Sequence, residues 1–146
     1  MTKIMTPLIN EDIDSRYACL AAPFAILSDV LGCKVEAPAG FVHDYESVPI
    51  IQGTSKRGGV IHDYLCRIDS VPVVTKKQAA DVYFEIMKCR DGLPDKGTTL
   101  GTASLWVRRW VKYGVVRVWP DYFHQHSVAA TYDDMVGRAP RARRKE

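Results

Sequence analysis

The sequence lacks the patterns that would make its class obvious. No run of 18 or more apolar residues occurs, which excludes a transmembrane helix read from hydropathy. The N-terminus, Met1 to Asp14, reaches acidic residues before any stretch long enough for a signal h-region, so the expectation is a soluble chain made in the cytosol. The four cysteines, Cys19, Cys33, Cys66 and Cys89, form no C-x-x-C pair, which excludes zinc-finger and thioredoxin frameworks and leaves reduced, packed thiols as the expectation. No G-x-x-x-x-G-K-[ST] phosphate loop and no G-x-S-x-G nucleophile turn is present. Lys56-Arg57-Gly58-Gly59 is a poor match to the first, and Ser47 lacks the context of the second.

What is there describes one ordinary globular domain. The 146 residues are 47% hydrophobic, 25% charged and 10% aromatic, enough to bury a core without metal or disulfide support. The formal charge of +3 suggests nucleic-acid binding until the charges are located. Five of the 20 basic residues and one of the 17 acidic residues lie in 138–146, leaving 15 against 16 over residues 1–137, a net of −1. The expected organisation is a nearly neutral domain over 1–137 and a basic, disordered tail over 138–146, which could touch DNA nonspecifically.

The N-terminal third reads as β-structure. Residues 23–27 and the alternating Cys33-Lys34-Val35-Glu36-Ala37 predict two strands joined by a loop. Pro38-Ala39-Gly40-Phe41 then predicts a turn that sends Phe41 inward and Val42-His43-Asp44 onto a loop. The second half reads as helix. Ile61, Tyr64, Leu65 and Ile68 fall at helical spacing behind Gly58-Gly59, and Thr75 is placed to cap a longer helix over residues 76–90. A third helix is predicted over 102–116, with Trp106 and Trp110 read as core. The expected fold is α+β: a small antiparallel sheet from the N-terminal half packed with about three helices.

Polar residues collect in segments that should otherwise be apolar or turn-like: His43-Asp44, Ser47, His62-Asp63, and Asp81 with Glu85. Asp81 and Glu85 are four apart, so both carboxylates share one helix face. An imidazole with converging carboxylates is what Zn²⁺ or another divalent metal needs, and His62, Asp44 and Asp63 are the candidate ligands. Without metal, the same groups could form a His-carboxylate acid/base pair, with Asp81 and Glu85 as further candidates. The competing reading is that His62 hydrogen-bonds locally and fixes its helix against the 40–49 loop. His124-Gln125-His126 could pair two imidazoles or lie in a solvent loop, and Asp63 with Arg67 is read as a surface ion pair.

Three ordered segments carry a resemblance. Pro38-Ala39-Gly40-Phe41-Val42-His43-Asp44-Tyr45-Glu46-Ser47-Val48-Pro49, then His62-Asp63-Tyr64-Leu65, then Ala80-Asp81-Val82-Tyr83-Phe84, follow the pattern P-x-G-F-x-x-D-x-x-S-V-P, H-D-x-L, A-D-x-x-F. This resembles a family of small bacteriophage and prophage proteins carrying a domain of unknown function, over about residues 20–120. The family's polar positions fall on Asp44, Ser47, His62, Asp63 and Asp81. Two positions depart from it: His43 stands where the family has Thr, and Glu46 where it has Ala. The resemblance implies a phage protein, made in the host bacterial cytoplasm and carried in the virion, with other virion or tail proteins as partners. The alternative it implies is a metal-dependent hydrolase contacting cell-wall peptidoglycan during entry or lysis. For the virion reading, Trp119, Tyr122, Phe123 and Tyr132 are the candidate contact aromatics.

Overall fold

A computed structural model of the chain describes residues 2–13, 17–44, 56–67, 69–89, and 107, 110, 111, 113–115, 117 and 118, with the backbone alone at Asp44. The chain order is β1 (Lys3–Ile4), β2 (Asn10–Asp12), β3 (Tyr17–Leu20), β4 (Phe24–Ser28), β5 (Cys33–Ala37), β6 (Val42–Asp44), α1 (Lys56–Leu65) and α2 (Lys76–Lys88). Helical backbone recurs at the described residues from Val107 to Val118, which belong to a third helix. The architecture is α+β, as the hydropathy pattern predicts. The expected single sheet is two antiparallel three-stranded sheets, ordered β1-β4-β5 and β2-β3-β6.

The division between the sheets follows from the turn after β5. β4 and β5 pair over their full length, Phe24 opposite Ala37 and Ser28 opposite Cys33. Pro38 then removes a ladder donor, and Gly40 takes φ +82°, in the left-handed region that side chains with a Cβ rarely occupy. The reversal carries the chain out of that sheet. Val42–Asp44, expected as a loop, instead becomes β6 and pairs with β3, with Tyr17 opposite Asp44 and Cys19 opposite Val42. Two backbone bonds, Leu20 N–H to Phe41 O at 2.9 Å and Gly40 N–H to Leu20 O at 2.8 Å, fasten the turn to the end of β3.

The helices cover these sheets with apolar faces. α1 buries Val60, Ile61, Tyr64 and Leu65 and packs on α2, β5 and β6. It begins at Lys56 and takes in Gly58 and Gly59, which are expected in front of the helix; both are buried. Burial against neighbours offsets the cost of glycine in a helix, about 1 kcal/mol each. α2 starts as expected at Thr75: its side chain accepts from the Gln78 backbone, and the Gln78 side chain accepts from the Thr75 N–H at 2.9 Å.

One core joins the strands and both helices. It contains Leu20, Phe24, Ile26, Val35, Phe41, Ile61, Leu65, Val82 and Ile86, all nearly or fully buried. At its edge Arg67, expected to pair with Asp63, is held in a fork by Asp69 at 2.8 and 2.6 Å, with its guanidinium 5.3 Å from the Phe41 ring centre. The third helix departs from its expected role. Val107, Trp110 and Val111 are about half exposed. Trp106, its expected partner in the core, lies outside the described residues.

Leu65 is completely buried at the end of α1, between the strands and α2. Leu65→Ala is expected to destabilise the fold by about 2–5 kcal/mol through lost burial and a residual cavity, measured by urea denaturation. A loss below about 1 kcal/mol would contradict this packing.

Candidate functional site

The described candidate side chains, His62 with Asp63, Asp81, and Glu85, divide into three environments rather than one. His62 and Asp63 lie on the last turns of α1, where helical spacing also brings Cys66 onto the face of His62. The Cys66 Sγ is 3.5 Å from His62 Nε2 and 3.9 Å from Nδ1. Asp63 Oδ1 is 3.7 Å from His62 Nδ1. Tyr83 of α2 packs edge-on against the imidazole, with ring centres 5.7 Å apart. Cys66 is expected from the sequence as a packed thiol, and its position four residues after His62 is the signal that places the two on one face.

Asp81 faces the third helix. Lys77 Nζ donates to its Oδ2 at 2.6 Å, and the Tyr113 hydroxyl donates to Oδ1 at 2.7 Å. Arg117 in turn donates to the Tyr113 oxygen at 3.3 Å. Burial alone would raise the Asp81 pKa, but the hydrogen bonds from Lys77 and Tyr113 and the positive charges of Lys77 and Arg117 outweigh it and hold the carboxyl below its ordinary range. The hydrogen bond to Asp81, burial and the carboxylate charge push the Tyr113 phenol above its usual value. Around this pair Phe84, Trp110 and Tyr113 form an aromatic cluster with centre distances of 4.9 to 5.9 Å, and Lys88 Nζ sits 4.1 Å from the Phe84 ring centre.

Glu85 is one turn along α2 and faces the N-terminal strands. Its carboxylate accepts from the Ser28 hydroxyl, from Thr2 Oγ1 at 2.8 Å and from the Val30 backbone N–H at 3.2 Å. These donors precede β1, end β4 and lie in the turn after it. No sequence spacing links them to Glu85: Thr2 is 83 residues away and Ser28 is 57. Asp81 and Glu85 thus share a face, as expected, while each is engaged by a different part of the chain.

His43 is buried in β6, with Nε2 3.3 Å from Asn10 Oδ1 and its ring stacked near Phe41. Asp44 ends the same strand. Its side chain and Ser47, and the His124-Gln125-His126 segment, lie outside the described residues. Among the described residues no group of three His, Cys, Asp or Glu side chains is arranged to hold a metal ion, so the donor set described at His62 and Asp63 does not by itself fit Zn²⁺. Among them, too, no helix is long and apolar enough to cross a membrane.

With this geometry in place, the family can be assigned. Residues 19–99 match the model of a family described as protein of unknown function (DUF1353). That span is more than half of the chain and includes β4 to α2, and the chain belongs to this family. Comparison with curated proteins and with solved structures gave no significant match.

Two expectations follow. Glu85→Ala leaves three donors without their acceptor and should cost about 2 kcal/mol, with faster hydrogen exchange in β1, whereas Glu85→Gln should lose less. Unchanged exchange in β1 would show that Glu85 does not hold that strand. The Asp81 carboxyl has a lower pKa folded than unfolded, so it contributes stability above the ordinary carboxylate range that is lost as pH falls through the folded pKa. Tyr113→Phe removes one of the bonds that lower it; the Asp81 titration seen by carboxyl NMR should move upward, with about 1 kcal/mol of stability lost at neutral pH.

Proposed function

We propose that the chain is a bacteriophage-encoded structural protein associated with the virion tail, in which Asp81, a polar residue of the family pattern, and Glu85 act as internal ties. The observation that supports this reading most directly is the engagement of both α2 carboxylates. Asp81 accepts from Lys77 of its own helix and from Tyr113 of the third helix, and Glu85 accepts from Thr2, Ser28 and Val30, the arrangement expected of carboxylates that fix a fold. The resemblance to phage and prophage proteins supplies the setting.

A structural component also needs a surface for its neighbour. The half-exposed Val107, Trp110 and Val111 at one turn of the third helix, backed by Phe84 and Tyr113, offer apolar and aromatic groups of the kind that anchor protein interfaces. The partner this surface suits is another virion protein with an apolar recess.

Mass spectrometry of purified phage particles is the test. The chain should be recovered in fixed stoichiometry with the tail proteins, and Trp110→Glu should reduce its incorporation at least tenfold while the purified variant keeps its thermal stability. Absence of the wild-type chain from purified particles would overturn the structural reading.

A further inference from the structure

We infer that the third helix docks against an acidic amphipathic helix of its neighbour, which lies along Val107, Val111, Gly114 and Val118. This deepens the tail reading and rests on it: the apolar recess that meets this surface is walled by that helix. The first observation is spacing. The four positions are four, three and four residues apart, the repeat that forms one seam along a helix and suits a second helix packed at a shallow angle. Val107 and Val111 are about half exposed and Val118 is 78% exposed, so the seam faces outward. Trp110 borders it, packed on Phe84 and Tyr113.

The second observation is a notch in the seam. No heavy atom outside its own turn of helix lies within 4 Å of where a Gly114 Cβ would stand. Glycine weakens a helix relative to alanine, and what it provides here is room for another helix to come close. An anionic lipid surface also accepts a basic amphipathic helix, but a notch only removes apolar area from that contact. Valines offer no face on which bases could stack, which sets single-stranded nucleic acid aside.

The third observation is charge of one sign. Residues 97–120 include Arg108, Arg109, Lys112 and Arg117 and no acidic residue. Around the aromatic cluster the described cations Lys77, Lys88 and Arg117 outnumber the one carboxylate engaged there, Asp81, while Glu85 turns to the N-terminal strands. A second copy of the chain would set these like charges against each other, which disfavours self-association through this face. A helix carrying Asp and Glu beside its apolar seam matches both the spacing and the charge.

The experiment treats purified particles with a carbodiimide, which joins an amine to an adjacent carboxylate as an amide, and maps the products by peptide mass spectrometry. Lys88 should be linked to Asp or Glu of one tail protein. Gly114→Leu fills the notch and should lower incorporation into particles at least about tenfold, while the isolated chain keeps or gains thermal stability. Lys88→Glu, at an exposed side chain, makes the same test without touching the helix seam and should lower incorporation at least about threefold. A chain absent from particles fails here and in the tail reading alike. A chain present in fixed stoichiometry whose Lys88 links to no carboxylate of another protein, or whose folded Gly114→Leu and Lys88→Glu variants are incorporated like wild type, overturns this inference and leaves the tail reading standing. Flotation of the purified wild-type chain with phosphatidylglycerol vesicles, abolished by Trp110→Glu, would assign the face to lipid and overturn it as well.

Discussion

The Glu85 carboxylate is the interaction on which the joining of the strands to the helices most depends. It takes hydrogen bonds from Thr2 Oγ1, the Ser28 hydroxyl and the Val30 N–H, so one side chain of α2 gathers the entry to β1, the end of β4 and the turn that starts β5. Ser28 is itself almost completely buried, and its oxygen also accepts from Leu31 N–H at 3.2 Å. A charged acceptor in such surroundings is favourable only while its donors stay in place, because each lost donor leaves part of a carboxylate desolvated. The turn between β4 and β5 and the two-residue strand β1 therefore inherit their placement from the helix. A strand as short as β1, paired through Lys3–Leu27 and Ile4–Ile26 and continued by Met5 N–H to Ala25 O at 2.9 Å, would have little stability by itself.

The apolar core and the polar ties act at different places. Phe24, Ile26, Val35, Ile61, Leu65 and Val82 bring β4, β5, α1 and α2 together through non-directional burial, which fixes distance more strongly than register. Direction comes from the rim. Arg67 is clamped by Asp69 and lies over Phe41, while the Tyr64 hydroxyl accepts the Val71 N–H at 3.0 Å, so the chain leaving α1 is held before it turns toward α2. Asp81 does the same between α2 and the third helix through Tyr113.

Local signals in the sequence were legible where local physics decides the outcome. The period-two alternation of residues 33–37, the Thr75 cap and the helical spacing of Ile61, Tyr64 and Leu65 all correspond to observed elements, because propensity, capping and burial pattern agree there. β6 was not legible. Val42-His43-Asp44 is too short to show alternation, and its strand character comes from β3, more than twenty residues earlier. His43 could be recognised as a polar residue in an apolar setting, but not as the neighbour of Asn10 across the sheet. For the candidate site, the shared helix face of Asp81 and Glu85 was legible from their spacing. Their separate donors were not, since Thr2, Ser28 and Tyr113 are brought to them only by tertiary packing.

The same separation bears on how a polar sequence pattern should be read. Asp81 and Glu85 are one turn apart, yet Asp81 pairs with the Lys77 charge and accepts from the Tyr113 hydroxyl, while Glu85 accepts from hydroxyls and a backbone amide. The hydrogen bonds and positive charges around Asp81 stabilise its charged form and make it a weaker base, because its donors must be given up as a proton arrives. His62 differs in kind: the Cys66 thiol and the Asp63 carboxylate beside it belong to its own end of α1, and from α2 it meets the edge of the Tyr83 ring. Polar density alone therefore does not separate a tie between distant elements from a local cluster. What marks a tie is that a donor comes from a distant part of the chain, as Tyr113 does for Asp81 and Thr2 and Ser28 do for Glu85, whereas the polar neighbours described at His62 are local.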